Sequence, residues 1–205
     1  WDTPKLVREI STSSTNDAPV SVSADGTSLI FFRGGTLYFS NKLTKGWGQG
    51  VSVSDEINNA QWSADAMVTS DGNALIFSSI RPEGYNYFTD PGFVVRYYHG
   101  AYLHQSDIYV SLRTPNGWGT PINLGPVINT KYTDRSPFLH PDMKTLYFSS
   151  DGHGGLGGMD VFMATRLSDT CWDCWSKPIN LGKEINTHED NWGYRINTDG
   201  EFAYY

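Results

Sequence analysis

Residues 69–79 read TSDGNALIFSS, and the phrase has three counterparts along the chain: SADGTSLIFF at 23–32, HPDMKTLYFSS at 140–150 and NTDGEFAYY at 197–205. Working outward, each phrase carries an aspartate (Asp25, Asp71, Asp142, Asp199), and each aspartate follows a tryptophan by 24 residues (Trp1, Trp47, Trp118, Trp175). The return interval, from aspartate to the next tryptophan, is 22, 47 and 33 residues. A fixed distance marks a rigid supersecondary unit, whereas a variable one marks a loop that tolerates insertion.

The text around these anchors repeats as well. The tryptophans open WDTPKLV, WGQGVSV, WGTPINL and WSKPINL. An Ile-Asn pair recurs at Ile57-Asn58, Ile128-Asn129 and Ile185-Asn186, and a third strand-like phrase reads TLYFS at 36–40, DIYVSL at 107–112 and DVFMATR at 160–166. Short alternating runs rich in β-branched and aromatic residues, separated by Asp-Gly and Gly-Gly, read as strands and tight turns.

Strand A is expected near 18–23, 65–70, 136–140 and 193–197, and strand B near 28–33, 74–79, 145–150 and 202–205. Strand C is expected at 36–40, 107–112 and 160–166, and strand D near 50–54, 120–124 and 178–182. No segment has a helical period. Four antiparallel strands recurring about every 45 residues define an all-β fold, a β-propeller of four-stranded blades.

Residues 1–205 read as one propeller domain, with three full blades and two partial ones. A D strand is expected at 5–8; completing the blade begun by 193–205 with it, in a four-bladed ring, is the alternative, and that blade would lack strand C. The count predicts an arc of a larger ring, six or more blades in all, within a longer protein. Met143 replaces the turn glycine of the third blade, so a different turn geometry is expected there.

Composition narrows the function classes. A net charge of −7 without a Lys/Arg run excludes the basic stripe that nucleic acid requires. No stretch approaches the length of a membrane helix, and none of these residues is expected to act as a signal peptide. Aromatics reach 14%, which suits strands and recognition surfaces.

The phrase S-x-D-G-x-x-L-x-F-S-S, followed by D-I-Y and W-x-x-P-x-N-L-G-x-x-I-N-T, resembles the WD-like propeller repeat of TolB-type envelope proteins. The stretch from Asp151 through Gly152 to Phe162, which contains GHGGLGGMDVF, resembles the propellers of OmpA-linked outer-membrane lipoproteins, the PorE-like proteins of type IX secretion and gliding. The resemblance implies a periplasmic, outer-membrane-associated address and an envelope protein complex as partner. Peptidoglycan attachment would come through a separate domain absent from this chain.

In a propeller the D-to-A and B-to-C connections share one face, and the Asp-Gly turns lie on the other, where turn chemistry explains them. The longest B-to-C connection, Arg81 to Gln105, holds Tyr85, Tyr87, Phe88, Phe93, Arg96, Tyr97, Tyr98, His99 and Tyr102. Long loops with this composition favour protein or glycan recognition; a lid that buries its own aromatics is the alternative. Asp134, Arg135, His188 and Trp192 are expected beside it, near the channel mouth.

The repeated tryptophans read as outer-blade packing, with sugar stacking as the alternative. Cys171 and Cys174, the two cysteines of the chain, read as a local disulfide of an oxidising compartment. No cofactor or metal is expected. His188-Glu189-Asp190 are adjacent and converge poorly on one ion, and 151–160 lacks the alternating oxygens of a calcium loop. No catalytic set stands out either.

The expected function is therefore a non-enzymatic binding scaffold of the Gram-negative envelope. The alternative is a carbohydrate-active propeller, lyase or hydrolase, with its site at the channel mouth.

Overall fold

The computed structural model describes residue 3, residues 5–85 and 106–205, and the backbone of 96–98 and 101–103. The first sheet runs β1 (Asp17–Val22), β2 (Ser28–Arg33), β3 (Thr36–Asn41), β4 (Val51–Ser52), each antiparallel to the last. A single turn of helix, α1 (Asp55–Asn58), then leads into the second blade. That blade opens with β5 (Trp62–Val68) and β6 (Ala74–Ile80). Within the insertion, β7 (Arg96–Tyr98) and β8 (Ala101–Leu103) pair as a separate hairpin.

The second blade resumes with β9 (Asp107–Thr114), which pairs with both β10 (Gly117–Trp118) and β11 (Ile122–Asn123). The third sheet is β12 (Asp134–Leu139), β13 (Thr145–Ser150), β14 (Asp160–Thr165), β15 (Ile179–Asn180). A partial sheet follows, β16 (Arg195–Ile196) with β17 (Ala203–Tyr204). Among the described residues the chain is thus an all-β propeller of antiparallel blades built on four strands, three complete and one partial, the second carrying an additional short strand.

Alternation explains how neighbouring blades hold together. Every residue of β6 is buried. Its side chains alternate across the sheet, so Ala74 and Ile76 enter a core shared with the third blade, beside Leu139, Leu146, Phe148 and Phe162. Leu75 and Phe77 enter a core shared with the first blade, beside Ile30, Leu37 and Ile57. Strand β9 splits the same way, Ile108 and Val110 to one side and Tyr109 to the other. Each large apolar side chain so buried contributes about 2 kcal/mol.

The turns follow the Asp signal. Gly26, Gly72 and Gly200 take φ of 69°, 73° and 78°, and each amide closes onto the carbonyl three residues back. The expectation for Met143 fails: it adopts φ 61° and its amide bonds the His140 carbonyl at 3.0 Å, the geometry of the glycine turns. Asp142 forces the match by accepting from the Lys144 and Thr145 amides at 2.8 Å each, while the Met143 side chain packs onto the core.

Two further expectations are corrected. Helix α1 exists although its four residues are too few to show a period; Ser54 caps it by accepting from the Ile57 amide. Residues 5–8 form no strand. Val7 closes a turn with Ile10 and packs with it on Leu29 and Phe31, against the first blade. No helix among the described residues is long and apolar enough to cross a membrane.

Candidate functional site

The end of the blades opposite the Asp-Gly turns is built from four repeated devices. The first is the Asn of the Ile-Asn pair. Asn58, Asn129 and Asn186 each accept from one backbone amide and donate to the carbonyl of the same residue, at Leu37, Ile108 and Val161 respectively. The side-chain amide thereby imitates one rung of a ladder at the start of strand C. Each Asn also reaches a strand D side chain, Ser52, Asn123 or Asn180.

The second device is an aspartate at the first position of strand C. Asp107 accepts from the Tyr85 amide at 2.8 Å and from Asn123 at 2.8 Å. Asp160 accepts from the Leu156 amide and from Asn180. Each leaves its second oxygen buried without a hydrogen-bond partner. Burial pushes Asp107 up to about 6, against the hydrogen bonds from Tyr85 and Asn123.

The third is an acceptor at the head of strand A. Asp17, Asp134 and Asn191 each take the backbone amide and hydroxyl of a threonine in the preceding loop, Thr12, Thr130 and Thr187. Asp134 is fully buried, and that burial raises it well above the usual range, opposed by Ser150 and Thr130 and reinforced by the negative charge of Asp107. Asp17 is lowered, because hydrogen bonds from Arg33 and Thr12 outweigh its burial.

The fourth is a bulge inside strand A. Register shifts interrupt β1 between Pro19 and Ser21, β5 between Ala64 and Met67, and β12 between Arg135 and Phe138. Asp65 and Ser136 sit there with φ of 49° and 52°, and Gly193 occupies the same repeat position with φ 78°. Left-handed backbone at a non-glycine residue costs about 1–2 kcal/mol and concentrates at functional positions.

These bulges surround a central cavity of about 160 Å3. Its wall comprises Ala18, Pro19 and Val20 of β1, Phe32 of β2, Ala64 and Asp65 of β5, Ser136 of β12, and Trp192, Gly193 and Arg195. Every blade, including the partial one, contributes to it. Arg135 donates to one oxygen of Asp65 through Nε at 2.9 Å and Nη2 at 2.6 Å, and Ser136 Oγ lies 3.2 Å from that same oxygen. The Arg135 guanidinium lies 5.6 Å from the Trp62 ring centroid and 5.1 Å from that of Trp192.

Of the residues singled out from sequence, Asp134 and Arg135 therefore lie in strand β12 rather than in a loop, both buried. Trp192 edges the cavity, and His188 is exposed, 3.3 Å from Glu189. Tyr85 is exposed where the insertion leaves the blade. Tyr87, Phe88, Phe93 and His99 lie outside the described residues, and only the backbone of Arg96, Tyr97, Tyr98 and Tyr102 is described.

Cys171 and Cys174 are joined as a disulfide. Among the described residues, the sole cluster with metal-ligand spacing is this pair with Asp173, and the bond between the two sulfurs uses up their ligating capacity. His153, in the glycine-rich loop, bonds the Ile128 carbonyl at 2.8 Å and packs on Phe148 and Phe162; burial lowers it, opposed by that hydrogen bond. The glycines around it permit close approach. A Cβ would fall 2.0 Å from Thr130 Oγ1 at Gly152 and 1.5 Å from Asp160 Oδ2 at Gly155.

Sequence reasoning missed Asp65, Arg195, Asp107 and Asp160. A signal for the first existed, because Pro19, Asp65, Ser136 and Gly193 each stand six residues before a turn aspartate.

No protein-family model matches the chain, and no curated protein matches it. Among solved structures it is similar to a puromycin-hydrolysing peptidase of Mycobacterium tuberculosis, at 12% identity and TM-score 0.53 over 92% of this chain and 27% of that one. It is also similar to a TolB-like protein of Agrobacterium tumefaciens, at 17% identity and TM-score 0.45 over 98% and 69%. A third is the α-L-arabinofuranosidase of Podospora anserina, solved with cellotriose, at 15% identity and TM-score 0.40 over 83% and 53%. Identities this low speak to fold alone. The chain spans about a quarter of the peptidase and about half of the arabinofuranosidase.

Proposed function

We propose that this propeller is a non-enzymatic binding scaffold that presents the 81–105 insertion to a partner, in an outer-membrane-associated complex of the Gram-negative envelope. One observation carries the reading: the insertion leaves and re-enters the blade through clamped residues. At its start, buried Arg81 donates to the Glu56 carbonyl at 3.1 Å, to the Ile57 carbonyl and to Asn59. Gly84 closes onto the Arg81 carbonyl at 3.0 Å, and Asp107, just beyond the insertion, holds the Tyr85 amide. Fixed ends reduce the ordering cost that an aromatic loop pays on binding. Asp17, Asp107, Asp134 and Asp160 each accept from a backbone amide, which ties them to the loops they hold in place.

The PorE-like envelope setting rests on the sequence resemblance, as does a peptidoglycan-binding domain elsewhere in the protein. The test is affinity capture from detergent-solubilised envelope, comparing the intact chain with one in which 86–105 is replaced by a short Gly-Ser turn that keeps Arg81 and Asp107. Specific envelope proteins retained by the first and lost by the second support the reading. Equal capture removes the loop from the proposal. Capture of none, with turnover of an envelope glycan by the intact chain, replaces the scaffold with an enzyme.

A further inference from the structure

The charge around the central cavity does not balance. Two guanidiniums, Arg135 and Arg195, face one carboxylate, Asp65. Arg135 already donates twice to that carboxylate. Arg195 is half-buried in the wall of the cavity, over the face of Phe138 at 5.4 Å. Among the described residues its one hydrogen-bond acceptor is the Tyr194 carbonyl at 3.1 Å, which leaves Nε and Nη2 as donors without an acceptor. A sheltered guanidinium strongly favours an anion that can accept two parallel hydrogen bonds.

The rest of the wall states what else the ligand must be. Val20, Phe32, Ala64 and Trp192 are apolar or aromatic, so the anion should carry an apolar body. The cavity, about 160 Å3 and open to solvent on one side, accommodates a small acyl group or one short residue of a peptide. Asp65 stands on the same wall, held there by its left-handed backbone, and opposes a second negative charge.

We infer that the central cavity is a binding site for a singly charged carboxylate with a short apolar body, its carboxylate held by Arg195 and its body against Phe32 and Trp192. The carboxylate comes either from a free small acid or from the C-terminus of a peptide. This inference does not depend on the scaffold reading.

The test is a titration of the nitrogen-15-labelled chain followed at the Arg195 Nε–H signal. Sodium butyrate is expected to shift that signal saturably, butyramide to leave it in place, and malonate to bind about ten-fold more weakly than butyrate. Acetyl-Gly-Ala and its C-terminal amide form the second arm. A shift with the peptide acid but not its amide assigns the site to a chain terminus, and a shift with butyrate alone assigns it to free acids.

Arg195→Gln is expected to weaken butyrate binding about ten-fold or more, with the near-ultraviolet circular dichroism of the wild type as the check on folding. No Arg195 shift with either acid, or the same shift with butyramide, overturns the assignment. So does unchanged affinity in a folded Arg195→Gln chain. Should that variant fail to fold, the wild-type titration decides alone.

Discussion

The two ends of each blade use the same residues for opposite purposes. At the turn end, aspartates face water. Asp25 accepts from Ser23, from the Thr27 amide and from the Thr27 hydroxyl, which hold it down at about 2. Asp142 is partly covered, yet the Thr145 and Lys144 amides outweigh that burial and lower it as well. At the loop end Asp107 and Asp134 make bonds of the same kind, but burial wins and raises both. Glycines divide likewise. Gly26 and Gly72 have open space around a notional Cβ and are needed for their positive φ, whereas Gly152 and Gly155 are needed because another chain segment lies where a side chain would go. Water, rather than residue type, separates a turn from a clamp.

The sharpest way to break this contrast is a pair of alanine substitutions. Gly155→Ala should cost about 3 kcal/mol or more, since Cβ and the Asp160 carboxylate cannot share the space. Gly26→Ala should cost about 1 kcal/mol, from φ alone. Urea unfolding of both chains measures the gap, and equal losses would erase the distinction.

Next in size is the pH response. Asp107 has a folded value near 6, above its unfolded value, so the folded state binds more protons between about pH 6 and pH 4. Its contribution therefore improves as pH falls from 7, by up to about 3 kcal/mol. The turn aspartates have lowered values, and theirs is lost below about pH 4. Asp134, also raised by burial, acts in the same direction, so stability should peak near pH 4–5 and Asp107→Asn should reduce, without abolishing, the gain between pH 7 and that peak. A chain most stable above pH 7, or an arm unchanged by the substitution, would contradict the assignment.

The smallest effect separates strain from packing at Met143. Met143→Gly removes both the strained φ and the core contact, so it should lie within about 1 kcal/mol of wild type. Met143→Ala keeps the strain and loses the contact. It should be less stable than the glycine variant by about 1 kcal/mol, read from thermal midpoints.

These contrasts also show how far the sequence carries. The strands were legible because alternation and turn chemistry act over a few residues; β2 and β13 fall where the pattern puts them. The Ile-Asn repeat was visible as a repeat, but its role was not, because Asn129 bonds a residue 21 positions away. Met143 misled because the neighbouring turn aspartate and a partly buried thioether compensate for a missing glycine, and the packing of that thioether on the core is not local to the residue. The cavity was illegible for a similar reason. Asp65 and Arg135 are 70 residues apart in sequence, and only the bulges in two neighbouring blades bring their charges together.

The shared burial of β6 has a consequence for how this molecule comes apart. Its two faces belong to two different cores, so separating the middle sheet exposes both at once, whereas the first sheet can peel away without opening the core shared with the third blade. Cooperativity should accordingly be uneven along the chain. Amides of β6 and β9 should exchange with solvent through the deepest opening event, and those of β1 to β4 through a shallower one that leaves the rest of the propeller standing.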